Sequence, residues 1–514
     1  MSTVTSESTV TAAVPGAPAL SAHLQDLAAF VQASPSSFHA AAEVARRLEA
    51  VGFTRVDPAQ DLPAAPGGYV SVTDGAVLAW ILPEALAERA ADAVPVFRVL
   101  GAHTDSPGFK LKPQHLTVTA DGWVQAGVEV YGGPLLNSWL DRELRFAGRL
   151  ALADGRQVLA ATGPVGRIPQ LAIHLDRSAN DDLTLGRQRH TQPIVAAVAG
   201  APDAAGTDAA DGASADPVVR LTGDILELLA AQAGVDPAEV RGADVVVADA
   251  QQGGAFGANG EFFACGRLDN LSSVHAGLRA LESLAADADR AGRGVVVAEG
   301  VAGEAAGAPV IPVLAAFDHE EVGSATRTGA GGPLLEELMG RLLTACGVTG
   351  QGAARSRAGS WLLSADAGHL VHPNYTERHD PVNHPRVNHG PLLKINANQR
   401  YSTDAAGEAA FARWCAAAGV PFQRFVSNND VPCGSTIGPI SATRLGVRTV
   451  DVGIGLLSMH SAREMCGADD PARLAAVARA FLLRGGVRAR AAFRDSTCFS
   501  PPCVHTVAKP RGSR

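Results

Sequence analysis

The sequence predicts an α/β protein in which a mostly parallel sheet covered by helices is interrupted by an inserted, β-rich, barrel-like module. Three observations carry that expectation. Toward both ends of the chain, helical apolar periods alternate with short buried strand-like runs. Between them, from about Leu111 to Arg177, only short strand-like runs occur, separated by Gly, Asp and Pro. Polar clusters then recur at the ends of the strand-like runs on both sides of this stretch, as expected of one α/β domain split by an insertion.

Residues 1–21 are rich in Ser, Thr, Ala and Pro and read as a flexible leader. HLQDLAAFVQAS and SFHAAAEVARRLEAVGF carry apolar residues at helical intervals, and VPVFRVLGAH reads as a buried strand. The insertion supplies HLTVTA, WVQAGVEVY, LRFAGRLALA, RQVLAAT and IPQLAIHL as short strands. Residues 199–216 are small and aperiodic, a surface loop. From Asp244 the alternation resumes with ADVVVADA, the helix DNLSSVHAGLRALESLAA, and the strands PVLAAFD, SWLLSAD and GVRTVDVGIG. The resulting division is 22–108 with 244–490 as a discontinuous α/β domain, 109–243 as the insertion, and 491–514 as a flexible tail.

The 514 residues exceed what a single small core accommodates, and 46% apolar with 18% charged residues is the balance of a folded globular chain. A net charge of −9 gives no basic footprint for nucleic acid. Runs of about 18 or more apolar residues are absent, and the start lacks the basic end and apolar stretch of a signal peptide, so neither membrane insertion nor export is expected. The seven cysteines are odd in number and lack C-x-x-C spacing, which points to reduced thiols and a cytoplasmic protein.

Chemistry concentrates in five clusters, GAHTDSPG, GRLDNL, FDHEEVGS, SADAGH and LLSMHSAREM, at strand ends or a helix start, where open α/β sheets bind ligands. His103 and Asp105 form His-x-Asp, an imidazole with a carboxylate to orient it as a metal ligand. Asp269 is either a helix N-cap or a carboxylate bridging two cations. Glu320 and Glu321 repel one another unless a cation lies beside them; one Glu can then ligate while the other, left free, accepts a proton from water. With Asp366 and His460, the candidate donors are two histidines and three carboxylates, suited to zinc, manganese or cobalt. Five ligands with one bridging carboxylate suit two cations about 3.5–4 Å apart.

GAHTDSPGFKLKP, CGRLDNL, FDHEEVGS, DAGHLVHPNY, KINANQRYSTD and SMHSAREM, in this order and from about Leu20 to Arg484, resemble the aspartyl aminopeptidase family of dinuclear zinc metallo-aminopeptidases. The resemblance implies a zinc exopeptidase-like catalytic domain and an insertion that serves dimerisation. It implies two zinc ions per subunit held by His103, Asp269, Glu321, Asp366 and His460, with Asp269 bridging. Glu320 is then the general base, Asp105 the carboxylate behind His103, and the reaction is removal of the N-terminal residue from peptides. Lys394 matches a lysine lining the pocket for that residue's side chain, favouring Asp or Glu; Tyr401 and His369 match positions near substrate. His174 matches a histidine presented to a neighbouring subunit's active site, within a tetrahedral dodecamer built from dimers. The resemblance does not account for the 199–216 loop or the tail STCFSPPCVHTVAKPRGSR.

Overall fold

A computed structural model describes residues 20–86, 89, 93–198, 224–291 and 308–483. Nearly all of the expected leader, the whole of the 199–216 loop and the expected tail lie outside these residues. The main sheet has nine strands, and five of its eight pairings are parallel. At its centre Val96–His103 lies between Val310–Phe317 and Trp361–Ala365, parallel to both, with Arg448–Gly453 beyond. Every residue of the three central strands is buried. Such continuous apolar runs are what strands covered on both faces require.

Alternation along these strands assigns residues to two cores. Leu100, Ala102, Leu314, Ala316, Leu363 and Ala365 point to one face, where the helices Ala22–Ala33, Ser37–Ala50, Leu268–Ala291, Ala405–Ala418 and Asp470–Leu482 pack. Phe97, Val99, Val313, Ala315 and Leu362 point to the other, against Leu334–Ala345 and Ile437–Leu445. Each buried Leu, Val or Phe contributes about 1.5–3 kcal/mol, so these two layers hold the sheet flat enough for its strand ends to meet at one rim. Helix starts follow local chemistry: Ser21, Asp404 and Thr436 side chains each accept a hydrogen bond from the first turn they cap.

The inserted sheet is antiparallel, in the order Gln157–Ala161, Leu144–Leu152, Val240–Asp249, Gly108–Val118, Trp123–Tyr131, Ile194–Ala197. Residues 166–168 bridge to Leu144 on one side and Ile194 on the other, which makes it barrel-like. The helix Ile225–Ala233 covers its core. Two expectations are corrected here. The run ADVVVADA, placed in the resumed α/β domain, is part of the strand Val240–Asp249, which pairs with Leu144–Leu152 and Gly108–Val118; the boundary at 243/244 therefore cuts a strand of the inserted sheet. The run IPQLAIHL forms only a bridge at Ile168 and then turns, leaving Leu171, Ile173 and Leu175 exposed. Beyond Ile168, its apolar residues find no sheet partner among the described residues.

A small third sheet carries part of the site. Phe262–Cys265 pairs antiparallel with Glu464–Gly467, which pairs with Gly455–Leu457, itself parallel to Gly368–His369.

One close approach fixes where Asp366 sits. A Cβ on Gly453 would fall 1.7 Å from the Asp366 carbonyl oxygen, while the Asp366 N–H donates to Val452 at 2.9 Å. Gly453→Ala is expected to cost about 1–3 kcal/mol of stability through overpacking and to displace Asp366. A urea unfolding midpoint equal to the parent protein's would refute that packing argument.

Candidate active site

The parallel register decides which groups meet. His103 ends its strand directly opposite Phe317, so the chain beyond Phe317 emerges beside His103 and Asp105. His319, at φ +62°, and Gly323, at φ +99°, bound the short 3-10 turn Glu320–Val322. That turn aims two backbone N–H groups at one carboxylate. Glu320 N donates to Asp105 Oδ1 and Glu321 N to Asp105 Oδ2, both at 3.1 Å, and the Tyr131 hydroxyl donates to Oδ2 at 2.8 Å. Asp105 Oδ1 also lies 3.3 Å from His103 Nδ1. The imidazole is thereby turned so that Nε2 faces the opposite way.

Beyond Nε2 the expected donors converge. His103 Nε2 lies 3.3 Å from Asp269 Oδ1 and 3.6 Å from Asp366 Oδ1. His460 Nε2 lies 3.6 Å from Asp269 Oδ2 and 3.5 Å from Glu321 Oε2. Two triads thus share Asp269, one on each of its oxygens. Bonds of about 2.0–2.2 Å to a tetrahedral zinc place ligand atoms about 3.3–3.6 Å apart, which matches these separations. The charge pattern fits as well: Asp269 Oδ1 and Glu321 Oε1 are buried without hydrogen-bond partners, a costly state for a carboxylate unless a cation satisfies it. His103 can also be grouped with Glu320 and Glu321. Glu320 Oε2, however, stays 4.0 Å from His103 Nε2, outside the spacing of either triad.

Electrostatics set these acids apart. Burial pushes the Glu320 carboxyl up to about 7, and the neighbouring Asp366 and Asp269 add to the rise against the opposing pull of His103. Burial and Asp269 also hold Glu321 well above the usual carboxylate range. Asp105 moves the other way: burial opposes its charge, but His103, Tyr131 and the Glu321 N–H hold it below its ordinary value. For Asp269, burial is likewise overcome by His103 and His460, and its carboxyl is lowered. Burial works against a charge on His103, yet contact with Asp105, Asp269 and Asp366 raises it well above the ordinary histidine value.

Glu464 is a site residue that sequence reasoning missed. Its pairing opposite Cys265 places it beside the turn leading to Asp269. Glu464 Oε2 accepts from Asp269 N at 2.9 Å and Oε1 from His460 N at 2.8 Å, so one buried carboxylate spaces both donors. Burial and Asp269 raise it to about 8. Its only sequence signal was its place four residues after His460.

A cavity of about 300 Å³ opens onto the triads, lined also by Glu320, His369, Lys394, Tyr401 and Met459. Lys394 is 1% exposed rather than solvated. Its Nζ donates to Ala367 O at 2.6 Å and lies 3.9 Å from Asp366 Oδ2 and 5.3 Å from the Tyr401 ring centre. His174 is elsewhere, exposed on a turn of the inserted module and not among the cavity's lining. A second cavity, about 260 Å³, lies behind Asp105 toward the inserted sheet. Several of its charges are committed to one another: Arg149 to Asp74 and Asp244, Lys110 to Asp244.

A helix-covered α/β sheet whose strand ends gather histidines and carboxylates in this way defines a metalloprotease-type hydrolase. Residues 30–482 match the family described as aminopeptidase I zinc metalloprotease (M18). The chain belongs to that family and is a zinc metallo-aminopeptidase. It is 47% identical over 462 residues to a probable M18 family aminopeptidase 2 of Streptomyces coelicolor, covering 90% of this chain and 97% of the relative. It is 41% identical to a probable M18 family aminopeptidase 2 of Mycobacterium tuberculosis, covering 90% and 98%. Among solved structures, it is similar to Ape4 in its complex with Nbr1 (TM-score 0.77, 32% identity, 90% and 85% covered). It is also similar to the Saccharomyces mApe1 dodecamer (TM-score 0.69, 28% identity, 90% and 97% covered).

The raised groups fix the sign of a pH effect. Glu320, Glu321, Glu464, His103 and His460 all hold protons more tightly folded than unfolded, whereas burial lowers His23, His39, His275 and His369, which oppose them only below the ordinary histidine value; above pH 7 the raised groups dominate and stability falls as pH rises. Chelator-treated protein should therefore melt at a lower temperature at pH 8 than at pH 7, with zinc raising the melting temperature more at pH 8. An opposite trend in a thermal scan at fixed ionic strength would contradict the electrostatic account.

Proposed function

We propose that this enzyme removes the N-terminal residue from peptides using two zinc ions per subunit, with manganese or cobalt also suited to the donors, and that it prefers N-terminal Asp or Glu. The observation that carries the two-ion reading is the division of Asp269's two oxygens between the His103/Asp366 and His460/Glu321 triads. In this reading Asp269 bridges, His103 and Asp366 complete one position, and Glu321 and His460 complete the other. Bound cations supply Lewis acidity toward the scissile carbonyl and acidify the attacking water.

The chain's own groups do the rest. Glu320 faces the cavity outside both triads, and its raised proton affinity suits a base that takes the proton of the attacking water and delivers one to the leaving amine. Asp105 holds His103 Nδ1 and so keeps Nε2 directed at the donors. The surrounding carboxylates favour a substrate's free α-ammonium, which limits cleavage to one residue. Lys394 supports the acidic preference. With Asp366 serving as a ligand through Oδ1, the buried Lys394 ammonium, which donates to the Ala367 carbonyl and lies 3.9 Å from Asp366 Oδ2, would have donor capacity left for a substrate carboxylate. Tyr401 and His369, beside it on the cavity wall, are assigned to substrate contact.

We further infer a homo-oligomer, a tetrahedral dodecamer built from dimers, with His174 reaching a neighbouring active site. The support is the dodecameric mApe1 and the exposed Leu171, Ile173 and Leu175 around His174. A cytoplasmic setting agrees with the five described cysteines being unpaired. Among the described residues no helix is long and apolar enough to cross a membrane.

Two experiments test this reading. Glu320→Gln should keep the zinc content, measured by elemental analysis, while turnover falls by at least about a hundredfold; near-normal turnover removes Glu320 from the role of base. A panel of unblocked peptides starting with Asp, Glu, Leu, Ala or Lys should be cleaved in a chelator-sensitive manner, Asp and Glu fastest, and N-acetylated versions left intact. Lys394→Ala should reduce the preference for Asp over Leu by about 30-fold or more. Fastest cleavage of Leu or Ala peptides by the parent enzyme would discard the acidic pocket and leave the metal chemistry standing.

A further inference from the structure

The strand Trp123–Tyr131 of the inserted sheet ends at the donor cluster, and the chain that follows it lies along that cluster for several residues. The Tyr131 hydroxyl donates to Asp105 Oδ2 at 2.8 Å, and Asp105 holds His103. Gly132, at φ +65°, abuts Glu321: a Cβ there would lie 3.1 Å from Glu321 Cβ and 3.2 Å from its carbonyl oxygen. His460 Nδ1 is 3.0 Å from the Gly133 carbonyl oxygen. A carbonyl only accepts, so Nδ1 carries a proton and Nε2, on the side of Asp269 and Glu321, is the nitrogen left to ligate a cation. The same imidazole's backbone is pinned by Leu135 N donating to His460 O at 2.9 Å, and Ala462 N donates to Ser138 Oγ at 2.9 Å.

These contacts do not form a diffuse domain interface. They fall on Asp105, Glu321, His460 and its near neighbour Ala462, reach both triads, and originate in a segment of eight residues. A side chain that donates to the carboxylate behind one histidine, together with a carbonyl that sets the tautomer of the other, is the arrangement that controls ligand orientation from outside the donor set. We propose that Tyr131–Ser138 is a positioning segment through which the inserted sheet sets the cation affinity of both halves of the active site. Tyr131 acts on the His103 half through Asp105, and Gly132 and Gly133 act on the His460 half. None of these residues touches the reacting atoms.

The proposal rests on His103 and His460 being metal ligands, and the test separates the two. Zinc dissociation constants of the full-length protein are measured by chelator competition, and the cobalt-substituted protein is followed by its visible absorption. Tyr131→Phe removes only the hydroxyl and should weaken binding at one of two sites by about tenfold or more, alter the cobalt spectrum, and lower kcat while KM stays within about twofold. Gly132→Ala should weaken the other site. His103→Ala serves as the control. If it still binds two zinc ions with parent affinity, the ligand reading fails. If it loses a site while both Tyr131→Phe and Gly132→Ala bind zinc and cobalt as the parent does, the positioning proposal alone is overturned. A loss of melting temperature with unchanged affinity and spectrum marks Tyr131 as merely structural and likewise overturns it. Should either variant fail to fold, the other decides.

Discussion

One carboxylate organises the active site. Asp105 is almost wholly buried, where a bare charge is costly, and it remains ionised because four groups converge on it: the His103 imidazole, the Tyr131 hydroxyl and the backbone N–H groups of Glu320 and Glu321. The four partners come from three different parts of the fold. The imidazole comes from a central strand, the two N–H groups from the turn after its parallel neighbour, and the hydroxyl from the inserted sheet. Removing the carboxylate would free the turn that carries both adjacent acids and release the link between the two sheets. Glu464 plays the matching part on the far side, where it collects the N–H groups of Asp269 and His460.

Such struts work because the sheet beneath them is over-determined. Three all-buried parallel strands bring the ends at His103, Phe317 and Ala365 to one rim, and helices on both faces exclude the water that would let those ends drift. Three of the residues that take positive φ without being glycine, Arg267, His319 and His460, stand just beyond that rim, while others, Asp141 and Gln399 among them, lie elsewhere in the fold. Each such residue costs on the order of 1–3 kcal/mol, which the surrounding hydrogen bonds and packing must offset. The site is therefore a set of stiff loops on a rigid platform.

Much of this was legible in the sequence, and the illegible part has a common cause. His103, Asp269, Glu321, Asp366 and His460 stand at strand ends in polar clusters, and a charge cluster after an apolar run is a local pattern. Glu464 and Tyr131 act on backbone and side-chain groups far away along the chain, so no spacing rule reaches them, and the Gly133 carbonyl has no side-chain signature at all. The misreading of IPQLAIHL has a different origin. An apolar run normally signals burial, but here the apolar side chains point outward from a turn, so strand propensity and exposure conflict. The strand Val240–Asp249 was recognised as a strand yet assigned to the wrong sheet, because its apolar run carries no information about its partners.

The wide spread of the donors along the chain also bears on how the molecule is made. The first lies at His103 and the last at His460, and the group that sets the tautomer of the last is the carbonyl of Gly133, back near the first. Synthesis from the N-terminus therefore leaves the His103 triad incomplete until Asp366 emerges, and the His460 triad incomplete until nearly all of the chain is available. Closing contacts of such sequence separation is a slow and late step for a folding chain. On the proposed assignment of the donors, cation uptake would await completion of the fold, and a truncated or misassembled chain would lack a finished site.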